Sequence, residues 1–109
     1  MKSFEGIVKI NKELLEKFKE VEQRPWGAEA SILDLTKQAG TLSKHVLVYE
    51  KYYMAGIENK ERYKTDLSNI GDQLADIFYC LVRISDHYKI DLEKSILGMI
   101  DNANKKLNS

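Results

Sequence analysis

The stretch Leu67–Tyr88, LSNIGDQLADIFYCLVRISDHY, decides the fold. Its apolar residues fall at Leu67, Ile70, Leu74, Ile77, Phe78, Leu81, Ile84 and Tyr88. Steps of three and four put them on one face of a helix. A second stripe runs through Asp72, Asp76, Cys80, Arg83 and His87. It sets two carboxylates one turn apart on the flank of that helix. Aspartate is a poor helix former and costly to bury. If this flank faces the protein, the carboxylates need a metal, a cation or water.

Three further helices are expected around this one. Helix 1 should run from about Ser3 to Glu22, with Ser3 as cap and Glu5 favouring the positive end of the dipole. Its apolar stripe is Phe4, Ile7, Val8, Leu14, Leu15, Phe18 and Val21. Pro25 stops the pattern, Gly27 loosens the restart, and Trp26 is expected to pack over the joint. Helix 2 should run from about Ala28 to Tyr53. One side carries Ile32, Leu35, Ala39, Leu42, Val46 and Tyr49; the other carries Asp34, Lys37, Gln38, Thr41, Lys44 and His45. Gly40 lies mid-helix at a cost of about 1 kcal/mol relative to alanine, as where another backbone approaches closely. Ala55–Thr65 is polar and aperiodic and reads as a loop holding at most a short helical turn. Thr65 or Asp66 can cap the Leu67 helix. Asp91 can cap helix 4, which runs through Leu92, Ile96, Met99, Ile100 and Ala103 to about Leu107. No segment alternates at period two long enough for a strand. Short joints between amphipathic helices predict an all-α four-helix bundle forming one domain over residues 1–109.

Composition narrows the class. A 109-residue chain suits one domain. A chain this small leaves more than about 30% of its unfolded surface uncovered and gains from association. Helices 2 and 3 carry apolar residues on more than one side, which points to a homodimer or homotetramer. Seventeen basic residues balance seventeen acidic ones. That balance gives no electrostatic case for nucleic acid or an anionic membrane. Lone Cys80 excludes a disulfide framework and, inside the apolar run, reads as a buried free thiol. No apolar run is long enough for a signal peptide or a membrane span, so a cytoplasmic protein is expected.

Standard catalytic sets are missing: there is no Gly-rich phosphate loop, no Cys-x-x-Cys and no His-Glu-x-x-His. His45 and His87 have no nucleophile beside them in sequence. The polar faces of helices 2 and 3 remain.

Arg24-x-Trp26 followed by Ile32-Leu33-x-Leu35-Thr36-Lys37-Gln38-Ala39-Gly40-Thr41-Leu42-Ser43-Lys44 resembles the second-helix segment of MazG-like all-α nucleoside triphosphate pyrophosphohydrolases. Asp72-Gln73-Leu74-Ala75-Asp76-Ile77-Phe78-Tyr79-Cys80-Leu81, then Arg83-Ile84-x-Asp86 and Ile90-Asp91-Leu92-Glu93, is similar to their third helix and the start of the fourth. The resemblance spans roughly Arg24 to Ile100. It implies a cleft between helices 2, 3 and 4 where nucleoside triphosphate is split to monophosphate and pyrophosphate. The family carries Glu-Glu-x-x-Glu on helix 2 and Glu-x-x-Asp on helix 3, whose carboxylates hold magnesium. Magnesium takes about six oxygen ligands, and a polyanionic substrate must be neutralised before water attacks it.

This chain departs from that motif. Lys37, Gln38 and Thr41 stand at the helix 2 positions, and Gln73 and Asp76 at those of helix 3. Only Asp76 keeps a carboxylate. On helix 4, the register puts Met99 and Ala103 where the family often has lysine and asparagine, with Asn102 and Asn104 adjacent.

Three readings follow from the resemblance and the departure. In the first, the chain is a diverged family member with weak or lost turnover that keeps a polar pocket for a nucleotide or another phosphorylated small molecule. Lys37 and Lys44 then meet phosphate, Gln38, Thr41 and Gln73 line the pocket, Asp76 is the residual acid, and Trp26 or Tyr79 stacks on a base. In the second, the enzyme is active, with Asp34, Asp72 and Asp76 holding Mg²⁺ in a displaced site; without activity no cofactor is expected. In the third, the bundle is a structural or regulatory oligomer whose cleft is filled by its own side chains. Lys37 is expected either to pair with Asp76 across helices 2 and 3 or to extend into solvent.

Overall fold

The computed structural model describes residues 2–56 and 60–109, and of Arg62 the backbone alone. Among the described residues the chain is all-α. Its helices are α1 (Phe4–Lys19), α2 (Ala28–Tyr49), α3 (Leu67–His87) and α4 (Leu92–Leu107). A single 3₁₀ turn, Glu61–Tyr63, precedes α3. It is the short turn expected within Ala55–Thr65; residues 57–59 of that loop lie outside the described residues. No described residue is in a strand.

The helix ends follow local chemistry. Ser3 caps α1 by accepting from the Gly6 N–H at 3.1 Å, and Asp91 caps α4 by accepting from the Lys94 N–H at 3.0 Å. Of the two residues expected to cap α3, Asp66 does so, accepting from the Asn69 N–H at 2.9 Å.

α2 ends four residues before the expected Tyr53. There the Tyr52 N–H donates to the Leu47 carbonyl and the Lys51 N–H to the Val48 carbonyl. α3 ends the same way, with Ile90 donating to Ser85 and Lys89 to Asp86. These paired bonds form Schellman motifs. Each places a lysine in the left-handed region, Lys51 at φ 61° and Lys89 at φ 56°. Glycine is the usual residue there, so a lysine at position 51 carries no stop signal.

The chain divides into two compact units, with the division falling inside α3: Met1–Ala28 with Val82–Ser109, and Glu29–Leu81. In the first unit Leu15 and Val82 are the buried apolar side chains. Arg83 is buried as well, and both of its terminal nitrogens donate to Glu22, at 2.7 and 2.8 Å. Its guanidinium carbon sits 4.3 Å from the Trp26 ring centroid. Trp26, in the α1–α2 joint, thus packs against the Arg83 guanidinium of α3.

In the second unit, the side of α2 turned inward is the polar one. Val48, Cys80, Ser31 and Gln73 are buried. Much of the expected apolar stripe is uncovered: Leu67 is 64% exposed, Leu74 54% and Ile32 47%; Leu33, beside the stripe, is 71% exposed. A Cβ added at Gly40 would meet nothing within 4 Å, so no backbone of this chain approaches it closely.

Candidate functional site

The site singled out by the sequence lies on α2 and the first part of α3, within the unit Glu29–Leu81. Asp34, Gln38 and Thr41 follow one another at one-turn intervals on α2, and Gln73 and Cys80 lie two turns apart on α3. Together, all of these except Thr41 form a continuous hydrogen-bonded relay. The Gln73 amide donates to the Gln38 backbone carbonyl at 3.1 Å and to its side-chain Oε1. The Gln38 amide donates to Asp34 Oδ1 at 3.2 Å. The Cys80 thiol donates to Asp34 Oδ2 at 3.4 Å. Four side chains are mutually satisfied, and Gln73 is only 6% exposed. Buried polar groups persist where each has a partner, so a closed set of this kind is stable without a ligand.

The other candidates lie off the relay. Thr41 donates to the Lys37 backbone carbonyl at 3.1 Å, a bond within its own helix. Lys37, Asp72 and Asp76 are exposed, and no ion pair joins Lys37 to Asp76 among the described residues. Lys37 therefore takes the solvent-extended alternative. Lys44 turns to the end of the unit, its ammonium 5.5 Å from the Tyr63 ring centroid. Trp26 belongs to the other unit and meets Arg83 there. Met99 and Ala103 on α4 are exposed.

The donors present suit one another better than they suit magnesium. Asp34 gives one oxygen to Gln38 and the other to Cys80. Among the described residues, no three His, Cys, Asp or Glu side chains are grouped to hold a metal ion. A six-oxygen cation needs several free carboxylate oxygens converging on one point. Gln38 and Gln73, which stand where the resemblance leads one to expect carboxylates, are bonded to each other.

The role of Cys80 was not legible in the sequence, where it read only as a buried thiol. Its place one turn after Asp76 on the same stripe was the available signal; its pairing with Asp34, 46 residues away, left none. The helix 2 histidine, His45, is hydrogen-bonded to Thr65 at 2.8 Å and so ties α2 to the start of α3.

Comparison with family models, with curated proteins and with solved structures gives no match for this chain. No described helix is long and apolar enough to cross a membrane.

Proposed function

We propose that this chain is a diverged member of the MazG-like pyrophosphohydrolase family that has lost Mg²⁺-dependent hydrolysis and works as a non-catalytic homo-oligomer. The observation that carries this reading is the closed relay Gln73–Gln38–Asp34–Cys80. At the positions where the resemblance expects carboxylates around a cation, two neutral amides satisfy each other. An active site built from Asp34, Asp72 and Asp76 would require Asp34 to surrender both of its partners. It would take from the Gln38 amide its Asp34 acceptor, at about 1–3 kcal/mol if that group is orphaned.

The oligomeric part rests on the uncovered side of α2 and α3. Ile32, Leu33, Val46 and Leu47 on α2, and Leu67, Leu74 and Leu81 on α3, are all exposed. By helical register Leu67, Leu74 and Leu81 lie on a single stripe, one at every second turn. Monomers rarely expose contiguous apolar patches beyond a few hundred Å². A second copy laid on this face, burying on the order of 1,200 Å² or more in total, gives a stable interface.

Two measurements test the reading. Pyrophosphate release is assayed with each common nucleoside triphosphate at millimolar Mg²⁺ or Mn²⁺, and none above blank is expected. Turnover that disappears in Asp76→Ala refutes the loss of catalysis. Light scattering of the purified chain is expected to give a dimer or tetramer; a monomer at all concentrations removes the oligomeric part.

A further inference from the structure

A cavity of about 440 Å³ opens where α2 ends, lined by Val48, Tyr49, Lys51, Tyr63, Lys64 and Thr65. We propose that it binds a small anion carrying a flat ring, of the size and chemistry of a nucleoside monophosphate. This goes beyond the non-catalytic reading of the α2–α3 relay and does not depend on it, because none of these six residues belongs to the relay.

The lining has the two components such a ligand requires. The first is positive charge. Lys51 and Lys64 line the cavity, and among the described residues no carboxylate does. Lys44 adds a third ammonium at its edge, over the Tyr63 ring. A competing carboxylate, Glu61, stands 3.1 Å from Lys64. Its side chain is 89% exposed, so a phosphate can displace it cheaply.

The second component is an aromatic wall. Tyr63 meets Tyr53 edge to face, with centroids 5.4 Å apart, and Tyr49 lines the opposite helix end. A ring held this way is a stacking platform for a base, and stacking of this kind is indifferent to base identity. Lysine ammonium groups supply the phosphate contact as point charges.

The cavity is positioned by the backbone. The Schellman turn that ends α2 holds Lys51 in the left-handed conformation, at the rim of the cavity. The 3₁₀ turn Glu61–Tyr63 brings Tyr63 and Lys64 alongside. The His45–Thr65 hydrogen bond fixes the distance between the two walls. The volume lies within the usual range for small-molecule sites, about 300–1,000 Å³.

The test is calorimetric titration of the full chain with AMP, with adenosine and inorganic phosphate as separate arms and no divalent metal added. AMP is expected to bind with a submillimolar constant, and each fragment at least about tenfold more weakly, because charge and stacking contribute together. Lys51→Glu and Lys64→Glu are each expected to weaken AMP at least about tenfold, with helicity by circular dichroism unchanged. Tyr63→Leu should weaken AMP and adenosine but not phosphate. The lysine variants keep the test decisive if the Tyr63 variant does not fold. Absence of AMP binding at millimolar concentration overturns the proposal. So does phosphate binding as tightly as AMP, which removes the ring. Loss of binding in Lys37→Glu, with Lys51→Glu and Lys64→Glu unaffected, also overturns it by moving the ligand to the exposed face of α2.

Discussion

Replacing Gln73 by glutamate restores the carboxylate that the family resemblance expects at this position, with almost no change of shape. The physical consequence is unfavourable. The Gln73 amide donates to two oxygens, the backbone carbonyl and the side-chain oxygen of Gln38. A carboxylate offers neither bond a proton. Two hydrogen bonds worth about 1 kcal/mol each are lost. An anion at a position only 6% exposed adds a desolvation cost of several kcal/mol if nothing relaxes. Rotation of the Gln38 amide gives the new carboxylate one donor, but takes that donor from Asp34 Oδ1. The net expectation is a loss of about 3 kcal/mol at neutral pH, out of roughly 5–15 kcal/mol for a domain of this kind. For a chain of this size that lowers the melting temperature by roughly 10 °C.

The loss should depend on pH in a stated direction. Burial raises the folded-state pKa of the new carboxyl above its unfolded value of about 4.3. The penalty is complete above the raised folded pKa and absent below the unfolded one, where the protonated oxygen donates to Gln38 instead. Melting curves of the variant and the parent should therefore converge as pH falls from neutral towards 4. Scanning calorimetry over that range, with and without Mg²⁺, is the assay. Equal melting temperatures at neutral pH would refute the relay as the reason glutamine stands here. Recovery of the variant by millimolar Mg²⁺ would refute the stronger claim, since a cation could then still be held between α2 and α3.

Three further perturbations test other parts of the structure. Glu22→Gln removes the carboxylate of an ion pair whose arginine is 6% exposed, and should cost about 2–3 kcal/mol. In a double-mutant cycle with Arg83→Met, a coupling below about 0.5 kcal/mol in urea denaturation would mean that Trp26 stacking, not the ion pair, holds Arg83. Lys89→Gly relieves a left-handed side chain at φ 56° and should stabilise by about 0.5–1 kcal/mol, read as a higher urea midpoint at unchanged slope. The pair Leu33→Glu and Leu74→Glu charges the uncovered faces of α2 and α3. It should leave helicity intact and shift the mass measured by light scattering to that of one chain; an unchanged mass means the interface lies elsewhere.

Helix existence and most helix ends were legible because they are local. Ser3, Asp66 and Asp91 each satisfy a backbone N–H three residues on, whereas α1 ends at Lys19, three residues before the expected Glu22 and ahead of Pro25. What was not legible was which side of a helix faces inward. Periodicity assigns the inside to the apolar stripe on the premise that polar groups prefer water. That premise fails where polar groups complete one another, as Gln38 and Gln73 do across 35 residues and Arg83 and Glu22 across 61. No spacing within one helix announces either pair. The carboxylates of the opening stretch show the same limit: Asp72 and Asp76 read as groups needing a partner, and both lie exposed to solvent. The apolar stripe was nevertheless a sound observation. Leu67, Leu74, Ile32 and Val46 recur with helical period yet stay uncovered in one chain. Under the proposed oligomer the periodic signal has a second source. Part of it encodes packing within the chain, centred on Leu15, Val48, Cys80 and Val82. The rest encodes a core that forms only between copies. A single helical pattern cannot separate those two contributions, whereas the charge-reversal pair on Leu33 and Leu74 does, by removing one and leaving the other in place.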